Sequence, residues 1–426
     1  MSLPFLAASI LRDINSKKST VKTAVYSTVY QNKKQLMSVV CECLRHASIL
    51  REVLELSSFQ LCDKRFKKNE ELALVVLHQH LFGKGLNGCY SKFKKTVDSQ
   101  KSAIHSATVR VKLRHKVKSL NEIVSSSSNI PVLPRYIRVN TIVASVSDVL
   151  STFKSSGYEY IDLDNADSQS SSSWVSVDPD ISNLLTLPTS IDLHNHNLLL
   201  NGSIILQDKA SCLSSFVLNP PSGSHVIDAC AAPGNKTSHL AAIMSNTGLI
   251  TAFEKNKKRS KILESMLSKA KVTCSKVINA DFTQCDVTKY SDVEYILVDP
   301  SCSGSGITGR LGSIEEDNSY SEERLEKLAS FQSVILKKAL SFPRVKKVVY
   351  STCSVHSKEN EQVVRDVLTQ MEGRFTLEEA LPSWSHRGET LDEEFPLGVN
   401  CIRASPQTTK TIGFFLALFT KTSDFS

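Results

Sequence analysis

The sequence predicts an α/β fold, a doubly wound and mostly parallel sheet, preceded by a helical N-terminal domain and a small α+β subdomain. Three observations carry this. From residue 206 onward, short apolar strand-like runs alternate with helical stretches, the pattern of successive strand–helix units in one sheet. Before about residue 125 apolar residues recur at helical spacing instead. Last, Cys302 and Cys353 each follow the end of a strand-like run, and an open α/β sheet gathers such positions into the crevice at its carboxyl edge, where these sheets bind ligands.

Taken in order, Val39, Leu44, Ile49, Leu50, Val53 and Leu54, then Leu72, Val75, Val76 and Leu81, give the helical spacing of the first domain, 1–125. The apolar stretch Leu3 to Leu11 has no basic region before it and runs at once into Arg12 and Asp13, so it reads as an amphipathic helix and not a signal peptide. The run Ser125 to Ser128 breaks the pattern. Arg135 to Asn140 alternates as a strand and Val146 to Phe153 as a helix, which defines a small α+β, RRM-like subdomain over 126–205. Ser168 to Ser173 is low in complexity and reads as a disordered loop tip within it. The remainder, 206–426, supplies strands at His225 to Ala229, Leu249 to Phe253, Lys276 to Asn279, Tyr295 to Val298, Val345 to Tyr350 and Gly413 to Phe419. Helices are expected at Lys236 to Ser245, Lys257 to Lys271, Glu322 to Leu340 and Lys358 to Met371, and the final strand as an antiparallel edge.

At 426 residues the chain has ample length for a sizeable core, and 41% hydrophobic against 22% charged residues fits a globular protein. Lys and Arg number 51 against 43 Asp and Glu, a net +8. The excess is clustered: Arg110, Lys112 and Arg114 lie in a segment from Lys101 to Lys118 that contains no acid, and Lys92, Lys94 and Lys95 precede it. Such a run favours a polyanionic partner, the bland alternative being a solvated face. Eleven cysteines include no CxxC pair, which removes zinc sites of the usual spacing and leaves no metal expected. No apolar run approaches the roughly 20 residues of a membrane span. Unpaired thiols belong in a reducing compartment, cytosol or nucleus.

The first strand of the last domain runs into Asp228-Ala-Cys-Ala-Ala-Pro-Gly-Asn-Lys-Thr237, small residues that let the backbone approach a ligand at a helix start. A phosphate-binding P-loop built on Lys236 would need glycines where Asn235 and Cys230 stand, and a dinucleotide site would need more glycines than Gly234. S-adenosylmethionine carries no phosphate and needs only a close turn and a carboxylate for its ribose. Cys230, Ala231, Ala232, Pro233, Gly234, Asn235 and Lys236 would form the turn. Glu254, ending the second strand, suits the ribose hydroxyls, and Asp281, ending the third, the adenine amino group. Arg259 and Asp299 complete the expected cofactor set.

Cys302 lies in Val298-Asp-Pro-Ser-Cys-Ser-Gly-Ser-Gly306 and Cys353 in Tyr350-Ser-Thr-Cys-Ser354. A lone free cysteine is most often a small buried hydrophobe. Here Asp299 and Gly304 mark a tight functional loop, and each cysteine is expected to precede a helix start whose free amides stabilise a thiolate. Cys212, Cys274, Cys285 and Cys401 need no such role.

Together, DACAAPGNKT, DPSCSGSG and YSTCS resemble the Sun-domain family of RNA cytosine-5 methyltransferases. The branch that modifies large-subunit ribosomal RNA is suggested by Phe82-Gly-Lys-Gly-Leu-Asn-Gly88, Arg135 to Thr141 and Leu206-Gln-Asp-Lys-Ala-Ser211. Ser301 departs from the Pro or Ala of most members. The resemblance implies a class I, S-adenosylmethionine-dependent fold and assigns attack on cytosine carbon 6 to Cys353, with Cys302 assisting release. Carbon 5 is a poor nucleophile until a thiolate adds at carbon 6. Asp299 would bond the cytosine amino group and ring nitrogen 3, and Lys209 would sit against the thiol. RNA contacts are expected from Arg110, Lys112, Arg114, Arg135 and Arg138. The substrate would be RNA, most of all rRNA, and the enzyme a monomer of the nucleus and nucleolus. A non-catalytic rRNA-binding assembly factor and a tRNA or DNA cytosine-5 methyltransferase stay open as alternatives.

Overall fold

The computed structural model describes residues 2–16, 18–19, 21–83, 85–127, 131, 133–162, 173–307, 322–391 and 395–422. It divides into two compact units, one over Met1–Asn129 and one beginning at Ile130. Among the described residues no helix is long and apolar enough to cross a membrane. Most of the serine run expected as a disordered loop tip, 168–172, lies outside the described residues.

The first unit is helical. Leu3–Asn15 buries Leu3, Ala7, Ala8, Ile10, Leu11 and Ile14, one face of an amphipathic helix, as expected. Glu70–Leu81 buries every residue from Leu72 through His78 and so runs through the middle of the unit's core. Its first turn is capped by Asn69, whose side chain accepts from the Leu72 amide; Asn32 and Asp63 cap two other helices in the same way. The helix Leu120–Ser127 continues past the break expected at Ser125.

The second unit holds two sheets. The smaller comprises β1 (Arg135–Val139), β2 (Glu159–Tyr160), β3 (Trp174–Val177), β4 (Leu184–Leu187) and β5 (Ile204–Leu206) in the order β2-β3-β4-β1-β5, with the helix Val146–Ser155 between β1 and β2. That helix opens on a reciprocal Ser145–Asp148 capping box and buries Val149 and Phe153.

The larger sheet contains β6 (His225–Asp228), β7 (Leu249–Phe253), β8 (Ser275–Ile278), β9 (Tyr295–Val298), β10 (Lys347–Thr352), β11 (Phe375–Glu378), β12 (Ile402–Ala404) and β13 (Phe414–Lys421), in the order β11-β13-β10-β9-β6-β7-β8 with β12 also on β13. From β10 to β8 all pairings are parallel. Alternate residues face opposite helical layers. Ile227, Ile296 and Val348 pack with Ile335, Leu336 and Val364, whereas Val226, Leu297 and Val349 pack with Cys212, Leu213 and Leu240. Burial on both faces explains why these strands read as continuous apolar runs. β13 is antiparallel, as expected, but it is not an edge, because β11 pairs along its outer side. β11 is not among the strands expected from the sequence: it alternates buried Phe375 and Leu377 with exposed Thr376 and Glu378, without the continuous apolar run that marks the central strands.

Candidate active site

Four adjacent parallel strands each deliver a carboxylate at the carboxyl edge: Asp228 ends β6, Glu254 follows β7, Asp281 lies beyond β8 and Asp299 follows β9. After β6 the loop is fixed by the Ala231 amide, which donates to Phe253 O at 2.9 Å, and it feeds the helix Asn235–Ile243. Gly234 caps that helix at φ 112°, and a Cβ there would come within 3.0 Å of Leu263, so only glycine suits the turn. Glu254 is 6% exposed; it accepts from the Asn256 amide at 2.7 Å and lies 3.4 Å from Arg259, which also donates to Ala232 O at 2.7 Å. Asp281 accepts from Lys255 at 2.8 Å and caps a turn through the Thr283 amide. The buried Oδ1 atoms of Asp228 and Asn235 have no partner among the described residues. Orphaned acceptors beside a small-residue loop fit a bound polar group that supplies the donors.

The two thiols meet. Cys302 Sγ lies 3.1 Å from Cys353 Sγ, where the loops after β9 and β10 converge. Hydrogen bonding from Cys302 holds Cys353 below the usual thiol range, with the Lys236 ammonium acting in the same direction. The same hydrogen bond, followed by burial, holds Cys302 well above it. The pair is thus split into a thiol ready to ionise and one that keeps its proton.

Asp299 is fully engaged: Oδ2 accepts from Lys236 at 2.7 Å and Oδ1 from Ser351 at 2.9 Å, which in turn accepts from Ser214 at 3.0 Å. Burial pulls the Lys236 ammonium down, but the Asp299 carboxylate outweighs it and the net shift is upward, so Lys236 stays a cation. Lys236 therefore faces both the carboxylate and the thiol pair.

Three expectations are corrected. Lys209 does not serve Cys353. It is 6% exposed and locked between Asp178 at 2.8 Å and Asp180 at 2.6 Å, acids contributed by the segment after β3, and the cation acting on Cys353 is Lys236. Arg138 offers no RNA-binding surface: it is 0% exposed and donates to Gln207 Oε1 and Ser238 Oγ, each at 2.8 Å, joining the small sheet to the helix after the β6 loop. No helix begins directly after Cys353; a 3₁₀ turn, Ser357–Glu359, precedes the helix Glu361–Gln370, so a helix N-terminus is not what lowers the thiol.

Other expected RNA-binding residues are differently placed. Arg110 and Arg114 are exposed and Lys112 half-buried, but Arg114 and His115 both meet Glu52, an acid invisible in the local sequence. Arg135 is half-buried and donates to Thr189 O at 3.1 Å.

Sequence reasoning missed the scaffold of the nucleophile loop. The Gly306 amide donates to Cys353 O at 2.9 Å, and the Gly413 amide to Gly306 O at 2.7 Å. The backbones touch so closely that a Cβ on Gly306 would stand 2.1 Å from Gly413 O. Ser303, Ser305 and Ser354 hydroxyls interlink at 3.1 to 3.2 Å. Arg403, paired twice with the fully buried Glu361 at 2.7 Å, donates to Val355 O at 3.0 Å.

The strand order with its antiparallel β13, and the row of strand-end carboxylates, define a class I methyltransferase. Residues 215–420 match the family described as 16S rRNA methyltransferase RsmB/F; residues 133–207 match the ferredoxin-like domain, and 34–124 the N-terminal domain, of NOL1/NOP2/Sun domain family member 5. The chain belongs to the Sun-domain family of RNA cytosine-5 methyltransferases, in the member-5 branch. Similar relatives are the 28S rRNA (cytosine-C(5))-methyltransferase of Mus musculus, 39% identical with 98% of this chain and 91% of that protein covered, and the 26S rRNA (cytosine-C(5))-methyltransferase nsun-5 of Caenorhabditis elegans, 36% identical with 97% and 96% covered. The 25S rRNA (cytosine-C(5))-methyltransferase rcm1 of Schizosaccharomyces pombe is 37% identical, with 96% and 89% covered. A solved methyltransferase homolog from Pyrococcus horikoshii superposes with a TM-score of 0.57 at 24% identity, covering 88% of this chain and 99% of that one. NSun6 from the same organism with SFG gives 0.52 at 21%, covering 81% and 96%. At these identities the two structures speak for the fold alone.

Proposed function

We propose that this enzyme uses S-adenosylmethionine to make 5-methylcytosine in large-subunit rRNA, through a covalent Cys353 adduct that Cys302 helps to release. The observation that carries the reading is the 3.1 Å contact between the two thiols, beside the Lys236–Asp299 pair. The rRNA target is supported by the names of the relatives, each matched over nearly the whole chain.

In this reading Cys353, held toward its thiolate by Cys302 and Lys236, adds to cytosine carbon 6. The new S–C bond moves the pair of the 5,6 double bond toward carbon 5, and the Asp299 carboxylate accepts from the cytosine amino group as charge develops; ring nitrogen 3, itself an acceptor, it can bond only with a proton between them. When bound, S-adenosylmethionine supplies an electrophilic methyl group on its sulfonium. Carbon 5 then bears a methyl and a proton. Cys302, which holds a proton in the resting pair, gives it to the departing Cys353 sulfur and takes the carbon 5 proton in its place, as the C–H pair restores the double bond. A thiol with raised pKa makes a thiolate basic enough for this step. Cytosine must leave its stack to reach the crevice, so the target region is single-stranded or melted.

The cofactor would be held by the Cys230–Lys236 loop, Glu254, Arg259, Asp281 and Asp299. We assign residues 1–125 to a basic helical domain, 126–205 to an RNA-binding subdomain and 206–426 to catalysis. A nuclear and nucleolar enzyme acting as a monomer on RNA completes the proposal.

The two cysteines give opposite results on denaturing gels. Cys353→Ala should abolish methylation and form no covalent complex, whereas Cys302→Ala should methylate once and stall, leaving a slow-migrating band that nuclease removes. A trapped band in Cys353→Ala and none in Cys302→Ala would reverse the assignment.

A further inference from the structure

The segment that carries Cys302 ends, on both sides, on one buried pair of side chains. Gln332, in the helix Glu322–Leu340, donates from Nε2 to Ser301 O at 3.1 Å and to Glu359 Oε1 at 2.9 Å. Glu359, in the turn after β10, accepts at the same Oε1 from the Ser303 amide at 2.9 Å. The backbone before and after Cys302 is therefore clamped by two groups that both have 0% exposure. Tyr350, in the strand leading to Cys353, donates to Glu359 O at 2.6 Å, so β10 sets the height of the clamp as well as that of the second thiol.

What the polarity of this pair serves is the Cys302 loop alone. Apart from the Ser301 carbonyl and the Ser303 amide, the groups they serve belong to each other, and the buried Ile335 and Leu336 in the Gln332 helix and Val364 in the helix after the Glu359 turn are apolar. Glu359 Oε2 and Gln332 Oε1 are buried with no partner among the described residues. Leaving two acceptors unsatisfied is expensive and calls for a reason elsewhere. That reason lies at Cys302, the one reactive group whose flanking amide and carbonyl the pair holds.

We propose that Gln332 and Glu359 are positioning residues for Cys302, fixing its loop for the release half of the reaction far more than for the attack by Cys353. This rests on the division of labour proposed above. A release base must reach the carbon 5 proton of an adduct already fixed in place by Cys353, so a small displacement of its loop harms release more than attack. Glu359 also adds to the influences that keep Cys302 protonated, after the Cys353 hydrogen bond, burial and the nearer charges.

The test uses the full chain, S-adenosylmethionine and an unmodified large-subunit rRNA transcript. It follows formation and decay of the covalent complex for Gln332→Leu, Glu359→Ala, Glu359→Gln and, alongside them, Cys302→Ala. Gln332→Leu and Glu359→Ala should form the complex within about twofold of the parent rate and slow its decay by up to about a hundredfold. Glu359→Gln keeps the Oε1 acceptor and should recover part of the decay rate. Gln332→Met stands in if the leucine variant fails to fold, as circular dichroism will show. Formation and decay falling together, or decay unchanged, overturns the proposal. If Cys302→Ala itself traps nothing, the division of labour fails; if it traps while Gln332→Leu does not, only the positioning role fails.

Discussion

Lys236 Nζ lies 2.7 Å from Asp299 Oδ2, joining the loop after β6 to the loop after β9 across 63 positions of sequence. The contact binds two functions together. Asp299 faces the crevice in which the thiols meet, and Lys236 is also the charge that, after the Cys302 hydrogen bond, favours the Cys353 thiolate. One cation thus sets the ionisation of the nucleophile and the orientation of the carboxylate beside it.

Replacing it makes a pH prediction. Cys353 is held below its usual value, so its thiolate persists to lower pH than an ordinary thiol would allow. In Lys236→Met that influence is gone, the thiolate fraction at a given pH falls, and the acid limb of the kcat/KM profile should move to higher pH. Single-turnover methyl transfer measured across pH decides it, and an unmoved limb sinks the role.

Asp228 gives a stability prediction of opposite sign to the usual carboxylate case. Burial raises its carboxyl from 3.8 to about 6, so the folded state holds a proton that the unfolded chain has lost. Stability from this group is present below the unfolded value and declines as pH rises from about 4 to about 6. Asp228→Asn keeps an acceptor for Thr237, now at 2.7 Å, and should flatten that part of the curve of Tm against pH. An identical curve for parent and variant would refute it.

Arginines at two places should behave differently although both were expected to meet RNA. Arg138→Met should lower stability by about 1.5 to 3 kcal/mol, by stranding Gln207 and Ser238, with no change in the salt dependence of RNA binding. Neutralising Arg110, Lys112 and Arg114 together should instead flatten the slope of log K against log salt by up to about 0.9 per lost duplex phosphate contact. Urea unfolding and filter binding at several salt concentrations separate the two.

Glu254→Ala should weaken S-adenosylmethionine by about 1.5 to 3 kcal/mol, the range of a charge-assisted hydrogen bond. Calorimetry that finds parental affinity would move the ribose elsewhere.

The sheet could be read from the chain because its parallel strands are buried on both faces and so form continuous apolar runs, bounded by loops that carry the chemistry. Cys302, Cys353 and Asp299 were identifiable for that reason. The fate of each cation was not. Lys209 and Lys236 are both lysines near small residues, and what separates them is which acids reach them: Asp178 and Asp180 come from the small sheet, Asp299 from the next strand but two in the chain. Arg138 looked like surface because its strand alternates, yet both faces of β1 are covered, and Glu52 meets Arg114 from 62 positions away. Pairings set by tertiary approach leave no local pattern. β11 offers only two apolar residues on one face, too little to stand out beside the continuous runs of the central strands.

The close passage of Gly306 against Gly413 has a consequence for the order in which the enzyme comes into being. Cys353 is presented by a loop whose anchors, Arg403 and Gly413, are translated after it, so a growing chain that already contains both thiols still lacks the parts that aim them. Domains fold as units as they leave the ribosome, and here the last strand closes the unit. The reactive cysteine pair is therefore assembled only after Gly413 has been made, and until then the chain carries the sulfur atoms of a methyltransferase without its nucleophile.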